Sequence, residues 1–110
     1  MLRRYNKVGQ VIRIAGLEVD TASMHVTRND MRINLTPKEY EILLFFARNP
    51  GIVLYRETIY RQIWGGDLPY GSKTVDLHIQ RLRKKVGWSY ELQAVNKIGY
   101  RLEVPNETAP

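Results

Sequence analysis

Five cations and one acid fall within the thirteen residues from Lys73 to Lys85, KTVDLHIQRLRKK, and their order decides what they can do. On a helical wheel Val75, Ile79, Leu82 and Val86 share one stripe, at offsets of 0, 4, 7 and 11. The opposite arc carries Lys73, Leu77, Gln80, Arg81 and Lys84, flanked by Asp76, His78, Arg83 and Lys85. One face is apolar and the other is mostly donors and cations. Guanidinium, ammonium and amide groups at this spacing can bond phosphates and base edges along a nucleic-acid groove. The bland alternative is a solvated helix face, and charge alone does not separate the two.

The remaining composition narrows the chemistry. Seventeen Lys and Arg against eleven Asp and Glu give a net charge of +6, concentrated in that one segment. The 110 residues fit one domain with one core. The absence of cysteine excludes disulfides, thiol catalysis and Cys-based zinc sites. His25 and His78 lie far apart, so no metal is expected. The sequence holds no Gly-rich phosphate loop, paired carboxylates at useful spacing or supported Ser–His–Asp set. The expectation is therefore a non-enzyme without cofactors. The N-terminus MLRRYNKVGQ has no apolar signal core, and no run reaches a membrane-spanning length, so a cytoplasmic domain without a membrane partner is expected.

Positioning such a helix requires a scaffold, and the pattern predicts an α+β one. Val11–Ile14, Leu17–Asp20, Met24–Thr27 and Met31–Leu35 read as an antiparallel four-stranded meander, punctuated at Ala15-Gly16, Thr21-Ala22-Ser23 and Asn29-Asp30. Thr36 as N-cap, Pro37 at N1 and Glu39 at N3 make a capping box, with Leu35 stapled to Tyr40. The first helix should face inward with Tyr40, Leu43, Leu44 and Ala47, and end at Asn49-Pro50-Gly51. Ile52-Val53-Leu54 reads as a short strand or link. A second helix should run from about Arg56 to Trp64, with Ile59, Tyr60 and Ile63 inward and Trp64 half in the core. After the Gly65–Gly71 loop, a third helix should start at Ser72 as N-cap and stop near Gly87. Leu92–Val95, a turn at Asn96–Gly99, and Tyr100–Val104 read as a hairpin, with Tyr100, Leu102 and Val104 on one side. The Tyr and Met residues are expected mostly in the core. Residues 105–110 read as a disordered tail. Strands, three helices and a hairpin make a winged helix-turn-helix over residues 11–104.

Four segments in this order resemble the OmpR/PhoB-type winged-helix domain, the output module of bacterial two-component response regulators. They are LTPKEYEILLFFARNPG (35–51), YRETIYRQIWG (55–65), TVDLHIQRLRKKVG (74–87) and IGYRLE (98–103). The resemblance implies sequence-specific binding of double-stranded promoter DNA, with the helix at about 72–86 in the major groove. The wing at 96–99 would lie on the adjacent minor groove or backbone. It implies Arg81 and Arg83 as principal base or phosphate contacts, and Lys73, Thr74 and His78 holding the backbone. Leu77 would meet a thymine methyl, while Arg56, Trp64 and Tyr100 touch phosphates. Gln80, Lys84, Asn96 and Lys97 complete the expected contacts. The loop with Gly66, Asp67, Leu68, Pro69 and Tyr70 matches the segment through which relatives approach RNA polymerase.

The resemblance further implies a monomer in isolation, a tandem dimer on direct repeats, and a phospho-accepting receiver domain ahead of this one. Leu2-Arg3-Arg4 resembles the end of a receiver's last helix, so residues 1–10 are expected to be a linker remnant. Three positions depart from the family. Tyr55 stands where Ser or Thr is usual, which removes an N-cap worth about 1 kcal/mol. Gln80 stands where Arg is frequent, and Gln favours adenine. Asn96 and Lys97 replace Arg-Gly, so Lys97 takes a phosphate role with less geometric specificity. The alternative, a winged helix that docks protein or RNA, should show more apolar anchors and fewer charges on the outward arc. A membrane-surface helix would need the apolar stripe that the core requires.

Overall fold

The computed structural model describes residues 9–104. Their order is β1 (Val11–Ile14), β2 (Leu17–Asp20), β3 (His25–Arg28), β4 (Met31–Ile33), α1 (Pro37–Ala47), β5 (Leu54–Tyr55), α2 (Arg56–Ile63), α3 (Thr74–Val86), β6 (Leu92–Val95) and β7 (Gly99–Leu102). This is the expected winged helix-turn-helix. Residues 1–8 of the expected linker 1–10, and the whole expected tail 105–110, lie outside the described residues.

β1 to β4 pair in sequence order, all antiparallel. Ile12, Val19, Val26 and Ile33 align as one row across the sheet. Val19 and Val26 at its centre are buried, because the meander packs one face on the helices. The turns at Ala15-Gly16 (φ 48° and 83°) and Asn29-Asp30 (φ 51° and 66°) have the left-handed geometry that suits strand twist. The second connection extends further than the alternation implied. Met24 has φ 61° and belongs to the turn, so β3 starts at His25.

α1 starts as expected. Thr36 Oγ1 accepts from the Glu39 N–H at 3.2 Å, and Glu39 Oε1 accepts from the Thr36 N–H at 2.9 Å. Its buried arc is wider than a single stripe. Tyr40, Leu43 and Ala47 are buried, but Ile42 and Phe46 are buried too, while Leu44 is only half-buried. The cause is that α1 packs against α2, α3 and β7 together. α2 buries Ile59 and Ile63, leaves Tyr60 half-buried and ends one residue before Trp64. In the second sheet, ordered β5-β7-β6, Tyr100 and Leu102 are buried as expected. Val104 lies past the strand and is exposed.

The expectation that Tyr and Met fill the core is overturned. Tyr40 and Tyr100 do so, but Met24, Met31, Tyr55, Tyr70 and Tyr90 are exposed. These five stand in turns, loops and at strand ends, where no periodicity aims a side chain inward. The core instead takes Trp88, fully buried just past α3, whose Nε1–H donates to Ala15 O at 3.0 Å. Arg28 donates to Val86 O at 2.9 Å and to Ala15 O at 3.2 Å, so the meander grips the end of α3.

An ion pair between a buried carboxylate and an exposed lysine ties α1 to α3. Lys85 Nζ lies 2.7 Å from Glu39 Oε1, and the Glu39 side chain is only 2% exposed. Burial alone would raise the Glu39 pKa, but Lys85 and the Thr36 backbone outweigh it and hold it below 4.5. A depressed pKa contributes stability above the unfolded value that is lost as pH falls through the folded one. Lys85→Met removes the charged partner while the Thr36 N–H bond stays, and the exposed ammonium is partly screened by water, so the domain should lose about 1–3 kcal/mol near neutral pH. The variant's Glu39 pKa should rise, so in chemical denaturation the loss should shrink as pH falls from that raised value toward the parent's depressed one. Equal stability of variant and parent at neutral pH would remove the pair from the account.

Candidate nucleic-acid interface

α3 is oriented by its inward stripe: Val75 is 1% exposed, and Ile79, Leu82 and Val86 are 0%. Four anchors over three turns fix the rotation of the helix about its axis. That rotation leaves Lys73, Leu77, Gln80, Arg81 and Lys84 exposed on the opposite side. From Lys73 to Lys84 the line runs about 16 Å, at 1.5 Å per residue. That equals about five base steps at 3.4 Å each. The helix begins at Thr74, so the expected cap moves from Ser72 to Lys73, which provides no side-chain bond. The Ser72 hydroxyl still accepts from the Thr74 N–H at 3.3 Å. Gly87, with φ 76°, ends the helix.

Asp76 organises what surrounds this line. Its Oδ1 accepts from Arg56 Nε at 2.8 Å and from the Tyr100 hydroxyl. Arg56 Nη1 also donates to the Lys97 carbonyl, and its guanidinium lies 5.4 Å from the Tyr100 ring centroid. One carboxylate on α3 therefore joins the start of α2, strand β7 and the wing turn. Partial burial pushes the Asp76 pKa up, but the Tyr100 hydroxyl and Arg56 outweigh it and hold it below the ordinary value of 3.8. Burial, then the neighbouring carboxylate, pushes the Tyr100 phenol up, which keeps it a donor. Sequence reasoning placed Asp76 only on the flank of the helix. The signal was a lone acid inside a cationic run.

This network engages two of the expected contacts. Tyr100 is buried at 6% exposure, with its hydroxyl turned to Asp76. Arg56 is half-buried and held by Asp76 and Lys97. Arg83 is half-buried as well, and its Nη2 donates to Ser89 O at 2.9 Å in the loop after α3. Trp64 is half-buried, stacked on Tyr60 at 5.2 Å and met edge-on by His78 at 4.9 Å. His78 Nδ1 lies 2.8 Å from Thr74 O.

The wing turn carries Asn96 and Lys97, both exposed, with φ 48° and 61°. Between it, the start of α3 and the preceding loop lies a cleft of about 550 Å³, lined by Arg56, Lys73 and Lys97 among others. Glu57 and Asp76 line it too, and Asp76 already pairs with Arg56, so Lys73 and Lys97 are the cations left to meet a phosphate oxygen there. In the loop itself Gly66, Asp67, Pro69 and Tyr70 are exposed, Leu68 is half-buried, and Asp67 accepts from Arg61 at 3.1 Å. A hollow of about 470 Å³ on the meander, lined by Arg13, Asn29 and Val104 among others, holds none of the expected residues. Among the described residues no cluster of His, Cys, Asp or Glu suits a metal ion, and no helix is long and apolar enough to cross a membrane.

A recognition-type helix rigidly presented beside a hairpin wing defines a winged-helix DNA-binding domain. Residues 30–102 match the family described as "Transcriptional regulatory protein, C terminal". The chain belongs to that family, as a DNA-binding effector domain of the OmpR/PhoB type. It is 34% identical over 105 residues to the transcriptional regulatory protein SrrA of Staphylococcus aureus, covering 91% of this chain and 44% of SrrA. The chain thus spans less than half the length of that relative. The DNA-binding domain of Bacillus subtilis CssR superposes with a TM-score of 0.71 at 31% identity, over 78% of this chain and 98% of that one. The DNA-binding domain of response regulator AdeR, solved with an intercistronic region, gives 0.74 at 31% identity, over 84% and 98%. The Klebsiella pneumoniae RstA domain, solved with its RstA box, shares the fold at 0.79 and 22% identity, over 86% and 97%.

The Asp76 network has a test in which two physical effects oppose. Asp76→Ala removes a negative charge beside the cationic helix, which by Coulomb's law alone should tighten binding to DNA. It also releases Arg56 and Tyr100 and frees the wing from α3. We expect the second effect to dominate, with affinity about tenfold weaker, equivalent to about 1.4 kcal/mol, in anisotropy titrations of the folded variant. Tighter binding would mean that the network does not set the wing.

Proposed function

We propose that this domain reads promoter DNA by laying α3 in the major groove while the wing holds the neighbouring backbone. The supporting observation is the exposed line of Lys73, Leu77, Gln80, Arg81 and Lys84 opposite a fully buried stripe. Arg81 suits a guanine edge, Gln80 an adenine edge and Leu77 a thymine methyl. Lys73, Thr74, Lys84, Asn96 and Lys97 hold phosphates, with Trp64 and His78 at the margin. Arg56 and Tyr100 act through Asp76, as positioning residues. Arg83 reaches DNA only by leaving Ser89.

The same reading extends to partners. The domain acts by binding rather than catalysis, without a cofactor or metal, in the cytoplasm and away from membranes. It is a monomer alone and pairs in tandem on direct repeats spaced about 10–11 bp. A phospho-accepting receiver precedes it in the full-length regulator, and residues 1–10 belong to the linker between them. The Gly66–Tyr70 loop approaches RNA polymerase. The alternative of a protein-docking face is disfavoured by the charge of the outward arc, where Leu77 is the one apolar side chain.

The experiment is selection of a bound duplex from random fragments, followed by titration of variants on matched and mismatched sites. With about five or six phosphate contacts, log K should fall with log salt at a slope near −5. Arg81→Ala should cost about 1–3 kcal/mol on the selected site and relax preference at one base pair. Lys97→Ala should weaken all sequences alike and make the slope shallower by about one. Unchanged binding by a folded Arg81→Ala variant would remove α3 as the reader.

A further inference from the structure

Tyr55 is the residue before α2, with φ −71° and ψ 150°, and its side chain makes no capping bond. Among the described residues its hydroxyl has no hydrogen-bond partner. The β5–β7 ladder pairs Tyr55 with Gly99 at the wing end of the sheet. Strand alternation turns the ring to the face opposite buried Leu54, and Tyr55 is 52% exposed. The next backbone group, the Arg56 N–H, donates to Ile98 O at 3.2 Å, so Tyr55 borders the wing turn directly. Ile98 in that turn is 46% exposed. Gly99 between them has no side chain to cover either, and a Cβ there would lie 2.2 Å from Leu54 O.

The Tyr55 ring is thus left in water at the edge where the wing meets the start of α2. Arg56, the next residue, bonds Asp76 and the Lys97 carbonyl, which sets Lys97 close to this edge. A partner for this edge must satisfy both apolar surface and positive charge. The backbone of a DNA duplex does so, because deoxyribose presents apolar edges between anionic phosphates. A tyrosine ring suits that boundary, with its body against sugar and its hydroxyl toward oxygen.

We propose that Tyr55 forms an additional DNA contact of this chain, packing on the deoxyribose–phosphate backbone beside the wing, with its hydroxyl donating to a phosphate. The contact rests on the DNA-reading function argued above. Tyr55 contributes neutral, shape-dependent affinity on the side where Asn96 and Lys97 provide no arginine.

The test uses a duplex selected from a random library and the complete chain. Tyrosine nitration, followed by mass spectrometry, is run on free and DNA-saturated protein. Tyr55 should be protected by the duplex, while Tyr90, 83% exposed in the loop after α3, should react equally in both. Tyr55→Phe loses only a bond to a charged group, so it should bind about tenfold more weakly. Tyr55→Ser should be weaker still. Both should keep the salt slope of the parent, because no cation is lost. Equal nitration of Tyr55 with and without bound DNA overturns the contact and leaves α3 as the reader. Protection without any affinity loss in either variant also overturns it. A chain that selects no duplex at all overturns the DNA reading itself.

Discussion

The buried stripe of α3 governs everything else in this domain. Val75, Ile79, Leu82 and Val86 seat the helix in the core, and a helix has one rotation that satisfies all four. The direction in which Gln80 and Arg81 point is therefore a consequence of core packing. Surrounding interactions defend that setting. Lys85 reaches the buried Glu39 on α1, Arg28 holds the Val86 carbonyl, and Trp88 closes the end against Ala15. Each acts on the last turns of α3 or the residue after its cap, so the anchoring is concentrated at the C-terminal end.

The opposite end is set by polar bonds. There the helix meets α2 and the wing through Asp76, Arg56 and Tyr100. A carboxylate is costly beside a polyanion, and the Arg56 and Tyr100 donors would be costlier without it. The arrangement lets the wing turn, where Asn96, Lys97 and Ile98 are all exposed, take its position from the helix. Pre-set geometry reduces the ordering cost on binding, so more of the phosphate attraction appears as affinity.

The sequence made the architecture legible because its signals were local. The capping box at Thr36-Pro37-Glu39, the Asn29-Asp30 turn and the two-faced helix from Thr74 are each specified within a few residues. What stayed hidden depends on residues far apart in the chain. Lys85 pairs with Glu39 across 46 positions, Arg28 with Val86 across 58, and Trp88 with Ala15 across 73. Ile42 and Phe46 escaped a single-stripe reading because α1 is covered on several sides. The resemblance implied phosphate contacts for Tyr100 and Arg56, and nothing in their local pattern reveals that Asp76 also bonds them. The outward arc of α3 was legible for the same reason that its inward stripe was.

The central claim is that α3 enters the major groove, and methylation interference addresses it without altering the protein. Dimethyl sulfate modifies guanine N7, which faces the major groove, and adenine N3, which faces the minor groove. On a selected duplex, methyl groups at guanine N7 should block binding in a cluster of about five base pairs under each copy of the domain. Full binding to N7-methylated duplex, with interference confined to adenine N3, would contradict the account and put the protein in the other groove.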